Sequence, residues 1–503
     1  MVSGAQGETN LTNFLLGDGS GRTLRDGQEF ALNWLSNEWN NSRVFAITAP
    51  CGSGKTLMTR AIQRELPKTR VITLSNNLVK QYCAEYPETT PYFGSKHYRS
   101  KLDHTNARAI AADPHNDICT NVMAYYFLKR REPTYEPADC YILDEADQLM
   151  GLMSELTVDT DTVSRAEIKV TPFEELTAIA FVTVKLKETI LKAEESLENA
   201  KTFDAQRRAE NKLSRLYMLH DSLVMEPHKY AASVVFVEFG KYAVPVNEVD
   251  KYTFFSKKGS FKLQIKPVVV PPSLLTNIFG DAKVVLMSAT IFPSDLIDAF
   301  PTERVKRIEI ASPIPIAQRR IIFSPTREIT DYYPLPAAQM ANKIDRVLDK
   351  YSSLRPVLIH VTYSDAALIS KYLKHKHIIY TNKDDKEETV SKWKAEGGIL
   401  LGAGLTTGID LPWDLCRLNI ICKIPFPNTA DKYVQKRRAI DPKWYALYAA
   451  RQVVQASGRS TRNETDFSVT VILDNRWQRL YDSVKTKLPI FFRESVDNHV
   501  TEI

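Results

Sequence analysis

The feature that most constrains the fold is a glycine-rich turn between an apolar run and a helix-forming segment. The run Val44-Phe45-Ala46-Ile47 leads into Ala49-Pro50-Cys51-Gly52-Ser53-Gly54-Lys55-Thr56, and helix-forming residues continue from Leu57 to Leu66. A buried strand followed by such a turn and a helix places backbone N–H groups and the positive end of the helix dipole around a phosphate. The stretch therefore predicts a P-loop nucleotide site in a parallel α/β sheet.

The residues of this turn have separate predicted roles. Lys55 is expected to reach the β and γ phosphates of ATP, and Thr56 to hold Mg²⁺. The usual leading glycine is replaced by Ala49, and a flexible turn with a surface lysine is the alternative interpretation. The strand-loop-helix context favours the P-loop. Its predicted nucleotide-binding residues are Gly52, Ser53, Gly54, Lys55 and Thr56.

A second apolar run, Cys140-Tyr141-Ile142-Leu143, ends in Asp144-Glu145-Ala146-Asp147. Adjacent carboxylates at the end of a buried strand can divide two tasks. Asp144 is predicted to bind the metal, directly or through water, and Glu145 to polarise an attacking water. An acidic helix N-terminus would explain an Asp-Glu pair alone, but the P-loop upstream favours the catalytic interpretation.

Smaller signals lie near these two anchors. Gln28, shortly before the P-loop strand, can read an adenine edge because its amide both donates and accepts, although a surface glutamine at a helix start is the commoner explanation. Two predicted strands, 71–76 and 117–121, end in small polar residues on the same edge of the sheet as the P-loop. Thr73, Asn76 and Asn121 therefore suit contacts to a phosphate backbone, and helix N-caps are an equally good interpretation.

Length and composition exclude some classes. A chain of 503 residues is too long for one core, and no apolar run reaches the roughly 18 residues that a membrane span requires. Its net charge of +6 permits a nucleic-acid partner without requiring one. Six cysteines without C-x-x-C spacing indicate buried thiols in a reducing compartment, hence the cytoplasm, or the nucleus of a nucleated cell.

The pattern of apolar residues predicts four segments. Residues 1–20 are polar and expected to be flexible. Residues 21–154 and 268–312 form a first α/β domain. Between them, 155–267 form an insertion with return strands and a helical hairpin standing off that domain, because apolar residues from Leu176 to Leu197 and from Leu213 to Leu223 recur at helical spacing. Residues 313–503 form a second α/β domain with predicted strands at 357–362, 398–401, 418–424 and 468–473.

The second domain has no P-loop of its own but offers two polar segments, Gly404 to Asp410 and Gln455 to Arg462. In the latter, Arg459 and Arg462 are three residues apart and lie on one helix face. They could reach across a cleft to the γ-phosphate, which would make hydrolysis depend on closure. Surface ion pairs explain two such arginines about as well.

Taken in order, these motifs resemble those of superfamily 2 helicases. The Asp144–Asp147 motif is similar to that of DEAD-box proteins. Other parts of the chain resemble the XPD/DinG branch, which also carries an arch domain where this chain has its hairpin. Those parts are Ala311-Ser312-Pro313, Gly408-Ile409-Asp410-Leu411-Pro412, Ile424-Pro425-Phe426-Pro427 and Gly458 to Glu464.

The resemblance implies two RecA-like parallel-sheet domains with an arch-like helical insertion in the first. It implies ATP and Mg²⁺ as cofactors, a single or forked nucleic-acid strand as partner, preferably DNA with 5′-to-3′ movement, no membrane, and a monomer. By motif, it adds Arg25, Gln28, Gly408 and Asp410 to the nucleotide site, Gln455, Arg459 and Arg462 to Lys55 and Glu145 in catalysis, and Ser312 to the nucleic-acid contacts.

Two features depart from that branch. Many members bind an iron–sulfur cluster between the P-loop and the acidic motif, but Pro91 to Asn116 contains no cysteine. We therefore expect no such cluster, and the shortened region would fit a viral or phage version. The aromatic and basic residues of 91–116, such as Tyr92, Phe93 and His97, would then supply a strand-separating wedge. A translocase without unwinding, an RNA helicase and a regulatory ATP-binding module are the rival functions.

Overall fold

The computed structural model describes residues 14, 17–66, 68–94, 97–148, 158–159, 163–164, 175–225, 234–239, 242–245, 260–266, 279–300, 302–326, 335–379, 386–404, 416–457 and 466–500. These residues form two compact units. Most of the chain before residue 308 belongs to the first unit, and most of the chain after it belongs to the second.

The first unit is built on a seven-stranded parallel sheet in the order β12-β1-β11-β5-β2-β4-β3. Its central strands β1, β11 and β5 are largely apolar because helices cover both faces of such a sheet. The parallel direction brings the residues that follow β1, β5, β2 and β4 to one edge. The strands are β1 (Val44–Thr48), β2 (Thr69–Thr73), β3 (Thr90–Tyr92), β4 (Ile118–Asn121), β5 (Cys140–Asp144), β11 (Lys283–Ser288) and β12 (Val305–Glu309).

Helices connect these strands, and several begin at a polar cap. The side chains of Ser75, Ser100 and Asn121 accept backbone hydrogen bonds at the starts of their helices. Such caps satisfy N–H groups that have no partner inside the helix. The helices are α1 (Asp26–Glu38), α2 (Lys55–Glu65), α3 (Asn76–Glu85), α4 (Lys101–Ala112), α5 (Val122–Arg131) and, after the hairpin, α8 (Pro293–Ala299).

The predicted helical hairpin is present as α6 (Glu175–Glu198) and α7 (Phe203–Met225). Its apolar face is buried in the core of the first unit, where Leu186 and Leu213 belong to one cluster with Tyr125 and Tyr141. The expectation that the hairpin stands off the first domain is therefore wrong. Apolar residues at helical spacing need a surface to cover them, and α5 supplies it.

A small antiparallel sheet also lies in the inserted part of the chain. Its central strand β10 pairs with β6, β7 and β8, and β8 pairs with β9. The strands are β6 (Val158–Asp159), β7 (Val163–Ser164), β8 (Val234–Phe239), β9 (Tyr242–Pro245) and β10 (Ser260–Lys266). The domain boundaries given above stay predictions.

The second unit has its own seven-stranded parallel sheet, in the order β15-β16-β14-β17-β18-β13-β19. The two sheets are the predicted pair of RecA-like domains. The strands are β13 (Arg319–Phe323), β14 (Val357–His360), β15 (Ile378–Ile379), β16 (Ile399–Gly402), β17 (Leu418–Ile421), β18 (Ser468–Ile472) and β19 (Val496–Val500). The helices in this part of the chain are α9 (Ala337–Lys350), α10 (Tyr363–Ile369), α11 (Lys386–Glu396), α12 (Lys432–Ile440), α13 (Pro442–Ser457), α14 (Trp477–Val484) and α15 (Ile490–Ser495). Of these, α12 falls almost entirely in the first unit.

The described residues before α1 pack on the first unit. Phe14 is fully buried with its ring edge against Trp39, at 5.1 Å between centroids. Asp18 accepts hydrogen bonds from the Ser20 hydroxyl at 2.6 Å and from the Tyr86 hydroxyl at 3.0 Å. Residues 1–13 lie outside the described part of the chain, so flexibility of 1–20 stays a prediction. No helix among the described residues has the length and apolarity to cross a membrane.

Candidate active site

The P-loop has the local geometry that its sequence predicts. β1 is buried along its whole length and α2 begins at Lys55. Gly52 and Gly54 have φ values of 76° and 78°, a left-handed conformation that glycine adopts at little cost. The Ser53 hydroxyl donates to the Pro50 carbonyl at 2.7 Å and closes the turn. Turns of this kind direct successive N–H groups toward an anion.

The acidic motif lies beside the P-loop lysine. The Lys55 ammonium is 3.9 Å from Glu145 Oε1. Asp144 is the last residue of β5, and its Oδ1 accepts the Glu145 backbone N–H at 3.0 Å. Glu145 has φ 53°, which is uncommon for a residue with a side chain and marks the point where the chain turns sharply from the strand. Thr56 follows Lys55 in the first turn of α2.

Burial sets the electrostatics of these carboxyls. It raises the pKa of Glu145 to about 7, against the attraction of the Lys55 ammonium and with added repulsion from Asp144 and Asp147. Burial likewise raises the pKa of Asp144, again against Lys55. Crowded carboxylates with raised pKa values are a setting that a divalent cation relieves, and carboxylate and hydroxyl oxygens suit Mg²⁺. Asp144 and Thr56 therefore fit the metal-binding role.

Asp147 links the acidic motif to the end of β11, and the sequence does not identify it as the partner of that strand end. Its buried carboxylate accepts the hydroxyl protons of Ser288, at Oδ1, and of Thr290, at Oδ2, the latter at 2.5 Å. The Ser288 hydroxyl also lies 3.3 Å from Glu145 Oε2. From sequence, Ser288-Ala289-Thr290 is expected to link a γ-phosphate sensor to a neighbouring domain through hydrogen bonds, with a threonine cap at a strand end as the alternative. The motif does not reveal its partner, because Asp147 lies more than 140 residues earlier in the chain.

Gln28 is buried, so the interpretation as a surface glutamine is wrong. Its side-chain oxygen accepts the Arg25 backbone N–H at 3.0 Å and so caps α1. The adenine-reading role of Arg25 and Gln28 stays a prediction.

The four residues predicted to contact nucleic acid all make hydrogen bonds within the protein. Asn76 and Asn121 are brought together, with Asn121 Nδ2 donating to Asn76 Oδ1 at 2.7 Å. Thr73 is buried and its hydroxyl donates to the Ser75 carbonyl at 3.1 Å. The Ser312 hydroxyl accepts the Ile314 N–H at 3.2 Å in the loop after β12. All four contacts stay predictions.

The motifs of the second domain are described only in part. Gly404 follows β16 with φ 62°, and its carbonyl accepts a hydrogen bond from Lys386. Gln455 lies half-buried in the last turn of α13. The other predicted residues of these motifs lie outside the described residues, namely Gly408, Asp410, Arg459 and Arg462.

The six cysteines are free thiols, and four of them are buried. Within the described residues, no group of three or more His, Cys, Asp or Glu side chains is arranged to hold a metal ion. The expectation that the chain has no iron–sulfur cluster is not tested by this and stays a prediction.

Two family models match the chain. The helicase C-terminal domain model matches residues 349–495, and the model for the res subunit of type III restriction enzymes matches residues 22–152. The two matches fall on the second and the first sheet, respectively.

Similar proteins are known among archaea and bacteria. A probable ATP-dependent helicase of Methanocaldococcus jannaschii is 27% identical over 300 residues, covering 53% of this chain and 42% of that protein. The ATP-dependent helicase DinG of Mycobacterium tuberculosis is 26% identical over 265 residues, covering 46% and 38%. The chain thus spans less than half the length of these relatives.

Solved structures carry the same fold. An XPD helicase structure matches with a TM-score of 0.56 at 16% identity, covering 92% of this chain and 98% of that one. A second, ligand-free XPD structure gives 0.55 at the same identity.

The chain thus combines two RecA-like sheets with a P-loop lysine beside an acidic strand end. The family models and the relatives make the chain similar to superfamily 2 proteins of the XPD/DinG type.

Proposed function

We propose that the protein is an ATP-dependent helicase that moves along single-stranded nucleic acid, preferably DNA and 5′ to 3′, and separates duplexes. The single observation that carries this proposal is the set formed by Lys55, Glu145 and Asp147. It joins the predicted phosphate-binding lysine to a carboxylate that can act as base. It also joins both to a hydrogen-bonded link with β11.

In this proposal each residue has one task. Lys55 neutralises the β and γ phosphates of ATP, and the glycine turn holds them. Glu145 takes a proton from the attacking water, a role that suits a carboxyl with a raised pKa. Thr56 and Asp144 hold Mg²⁺, which when bound neutralises charge on the phosphates.

Asp147 acts on the far side of Glu145. A change in the position of Glu145 on hydrolysis would reach Ser288, which lies 3.3 Å away, and Thr290 through the shared Asp147 carboxylate. We propose that Arg459, Arg462 and Gln455 complete the hydrolytic set, on the support of their sequence pattern.

The test is ATP turnover with single-stranded DNA, single-stranded RNA or no strand, followed by strand displacement on substrates with 5′ or 3′ tails. DNA-stimulated turnover and displacement from a 5′ tail are expected. Stimulation without displacement would favour the translocase, and stimulation by RNA alone would favour an RNA helicase.

Matched variants separate binding from chemistry. Lys55→Ala should abolish hydrolysis, and Glu145→Gln should stop turnover while ATP still binds, because the amide fits but cannot accept a proton. Arg459→Ala should lower turnover by a factor of about 10³ to 10⁵. Near-parental turnover in the Glu145 variant would contradict the assignment, and unstimulated, strand-independent ATP binding without hydrolysis would favour a regulatory module.

The same proposal includes a cellular role, a location and an oligomeric state. A helicase of this type would serve DNA replication or repair in the cytoplasm, or in the nucleus of a nucleated cell. A monomeric state is proposed with it, and size-exclusion chromatography with light scattering would test that state.

A further inference from the structure

Four side chains at the carboxyl ends of β2, β3 and β4 form one connected set: Asn121, Asn76, His97 and Phe93. We call it the Asn–His relay. It begins at Asn121, whose Oδ1 accepts the backbone N–H of Ala124 at 2.9 Å as the cap of α5. This bond fixes which end of the Asn121 amide is oxygen, because a backbone N–H can only donate.

The orientation is then passed from one side chain to the next. Asn121 Nδ2 donates to Asn76 Oδ1 at 2.7 Å, so Asn76 Nδ2 is the atom that faces His97 Nδ1, at 3.5 Å. A donor facing Nδ1 requires that nitrogen to be an acceptor. This arrangement favours the neutral imidazole of His97 with its proton on Nε2.

The electrostatic surroundings act in the same direction. Partial burial lowers the pKa of His97, and the nearby Lys80 ammonium lowers it further. Both effects favour the uncharged ring.

Residues that follow β3 also hold His97 in place. Its ring stacks on Phe93, with centroids 4.3 Å apart and planes at 30°. The Phe93 backbone N–H donates to the Tyr98 hydroxyl at 3.2 Å, and Tyr98 packs on the core cluster around Tyr92. His97 itself is exposed to solvent. The result is a flat, uncharged ring fixed in orientation on the protein surface.

A ring held in this way loses conformational freedom while most of its surface stays in water, and a stacking partner would offset that cost by covering the ring. Nucleic-acid bases stack on such rings whatever their sequence. The relay lies at the same sheet edge as the P-loop and the acidic motif.

We propose that Phe93 and His97 form a stacking step for a base of a single strand, with Asn76 and Asn121 as positioning residues. This inference rests on the proposed function, since it assigns a subsite for the same strand. It differs from a phosphate contact, because the uncharged ring binds the base and releases no counterion.

The test compares two DNA strands of equal length, oligo(dT) and a strand whose central residues are abasic, by fluorescence anisotropy. His97→Ala and Phe93→Ala should weaken binding of oligo(dT) about 5- to 150-fold, the range of one lost stacking contact, and leave the abasic strand unaffected. The slope of affinity against salt should stay parental in both variants. His97→Phe keeps a flat ring and should retain most of the affinity for oligo(dT).

His115→Ala is the matched control. His115 is an exposed histidine between α4 and β4, at the opposite sheet edge from the relay, and its replacement should change neither affinity. Thermal unfolding of every variant would show that the fold is kept.

The positioning role has a separate readout. In protein labelled with ¹⁵N-histidine, His97 should show one neutral tautomer with Nδ1 unprotonated, and Asn76→Ala should give a mixture of tautomers. Equal tautomer populations in the parent protein would contradict the relay.

Two outcomes separate this inference from the proposed function. If the parent protein binds oligo(dT) and His97→Ala behaves like His115→Ala, the stacking step is refuted and the helicase proposal stands. If the parent protein binds neither strand, both are refuted.

Discussion

Replacing Glu145 with Gln should make the nucleotide-free protein more stable as well as inactive. In the fold, the Glu145 carboxyl ionises with difficulty because burial raises its pKa from 4.5 to about 7. The neutral amide of glutamine has nearly the same shape and no ionisation to oppose. Replacing the glutamate with glutamine therefore removes a free-energy cost of folding.

The size of this cost depends on pH. A group whose pKa is raised in the fold stabilises it fully below the unfolded value, 4.5, and loses that contribution as pH rises through the folded value, about 7. Each pKa unit corresponds to about 1.4 kcal/mol, so the carboxylate opposes folding by about 3 kcal/mol at pH 8 and by less than about 1 kcal/mol at pH 5. The Glu145 side chain is 27% exposed, so the pH 8 figure is an upper bound.

The assay is thermal unfolding of parent and variant between pH 5 and pH 8, without nucleotide or Mg²⁺. The variant should unfold at a higher temperature than the parent, and this difference should grow with pH. It should shrink when Mg²⁺ and ATP are added, because a bound cation stabilises the ionised carboxyls. Glu188→Gln, on an exposed carboxylate of α6, controls for the substitution itself. A gap between parent and variant that is the same at pH 5 and pH 8 would refute the reasoning.

Three further predictions concern other parts of the first unit. Asp18→Asn should cost about 2 kcal/mol at pH 5 and about half that at pH 3. Although burial opposes its ionisation, hydrogen bonds from Ser20, Tyr86 and Arg22 lower the pKa of Asp18 from 3.8 to about 2. The stability that this shift contributes is lost as pH falls from 3.8 to about 2. Urea unfolding measures the cost of the substitution, and a cost that does not change with pH would contradict the prediction. Leu213→Ala should lower the free energy of unfolding by about 2 to 5 kcal/mol, because it leaves a cavity under the hairpin. Leu191→Ala, on a side chain that is 58% exposed, should cost less than about 0.5 kcal/mol in the same denaturant assay. Equal costs would argue against the shared core. Thr290→Val should keep the side-chain volume but remove one of the hydrogen bonds to Asp147, so strand displacement should fall more than ATP turnover, and a proportional loss of both would mean that the link is only structural.

The buried centre of the first sheet was predictable from sequence. β1, β5 and β11 are covered on both faces, so each reads as a continuous apolar run. Edge strands were not predicted, because one side of each faces water and tolerates polar residues. β12 contains Lys306 and Arg307, and β19 contains Asp497 and Asn498.

Sequence patterns did not predict the structure where a contact with a distant part of the chain decides it. The segment 91–116 has few large apolar residues at helical spacing, so its sequence does not predict α4. The wedge role of this segment stays a prediction. Tyr92 is buried in a core cluster and is not available to stack on a base. Asn76 was placed at the end of a strand but begins α3 behind the Ser75 cap.

The site residues were found to different degrees for a similar reason. Lys55 and Glu145 belong to short motifs whose spacing carries their chemistry, and the structure brings them to 3.9 Å. The link from Asp147 to Ser288 depends on which strands are neighbours in the sheet, and β5 and β11 are separated by the whole insertion. Sequence alone does not give that pairing.

The shared core of the hairpin and α5 also bears on how chains of this type can diverge. Leu186 and Leu213 of the hairpin and Phe127 of α5 fill one interior. A change in side-chain volume on one of these surfaces leaves a gap or a clash unless the other surface changes too. In related chains we therefore expect substitutions on the two surfaces to be inherited in pairs, as they are at the interface of two subunits.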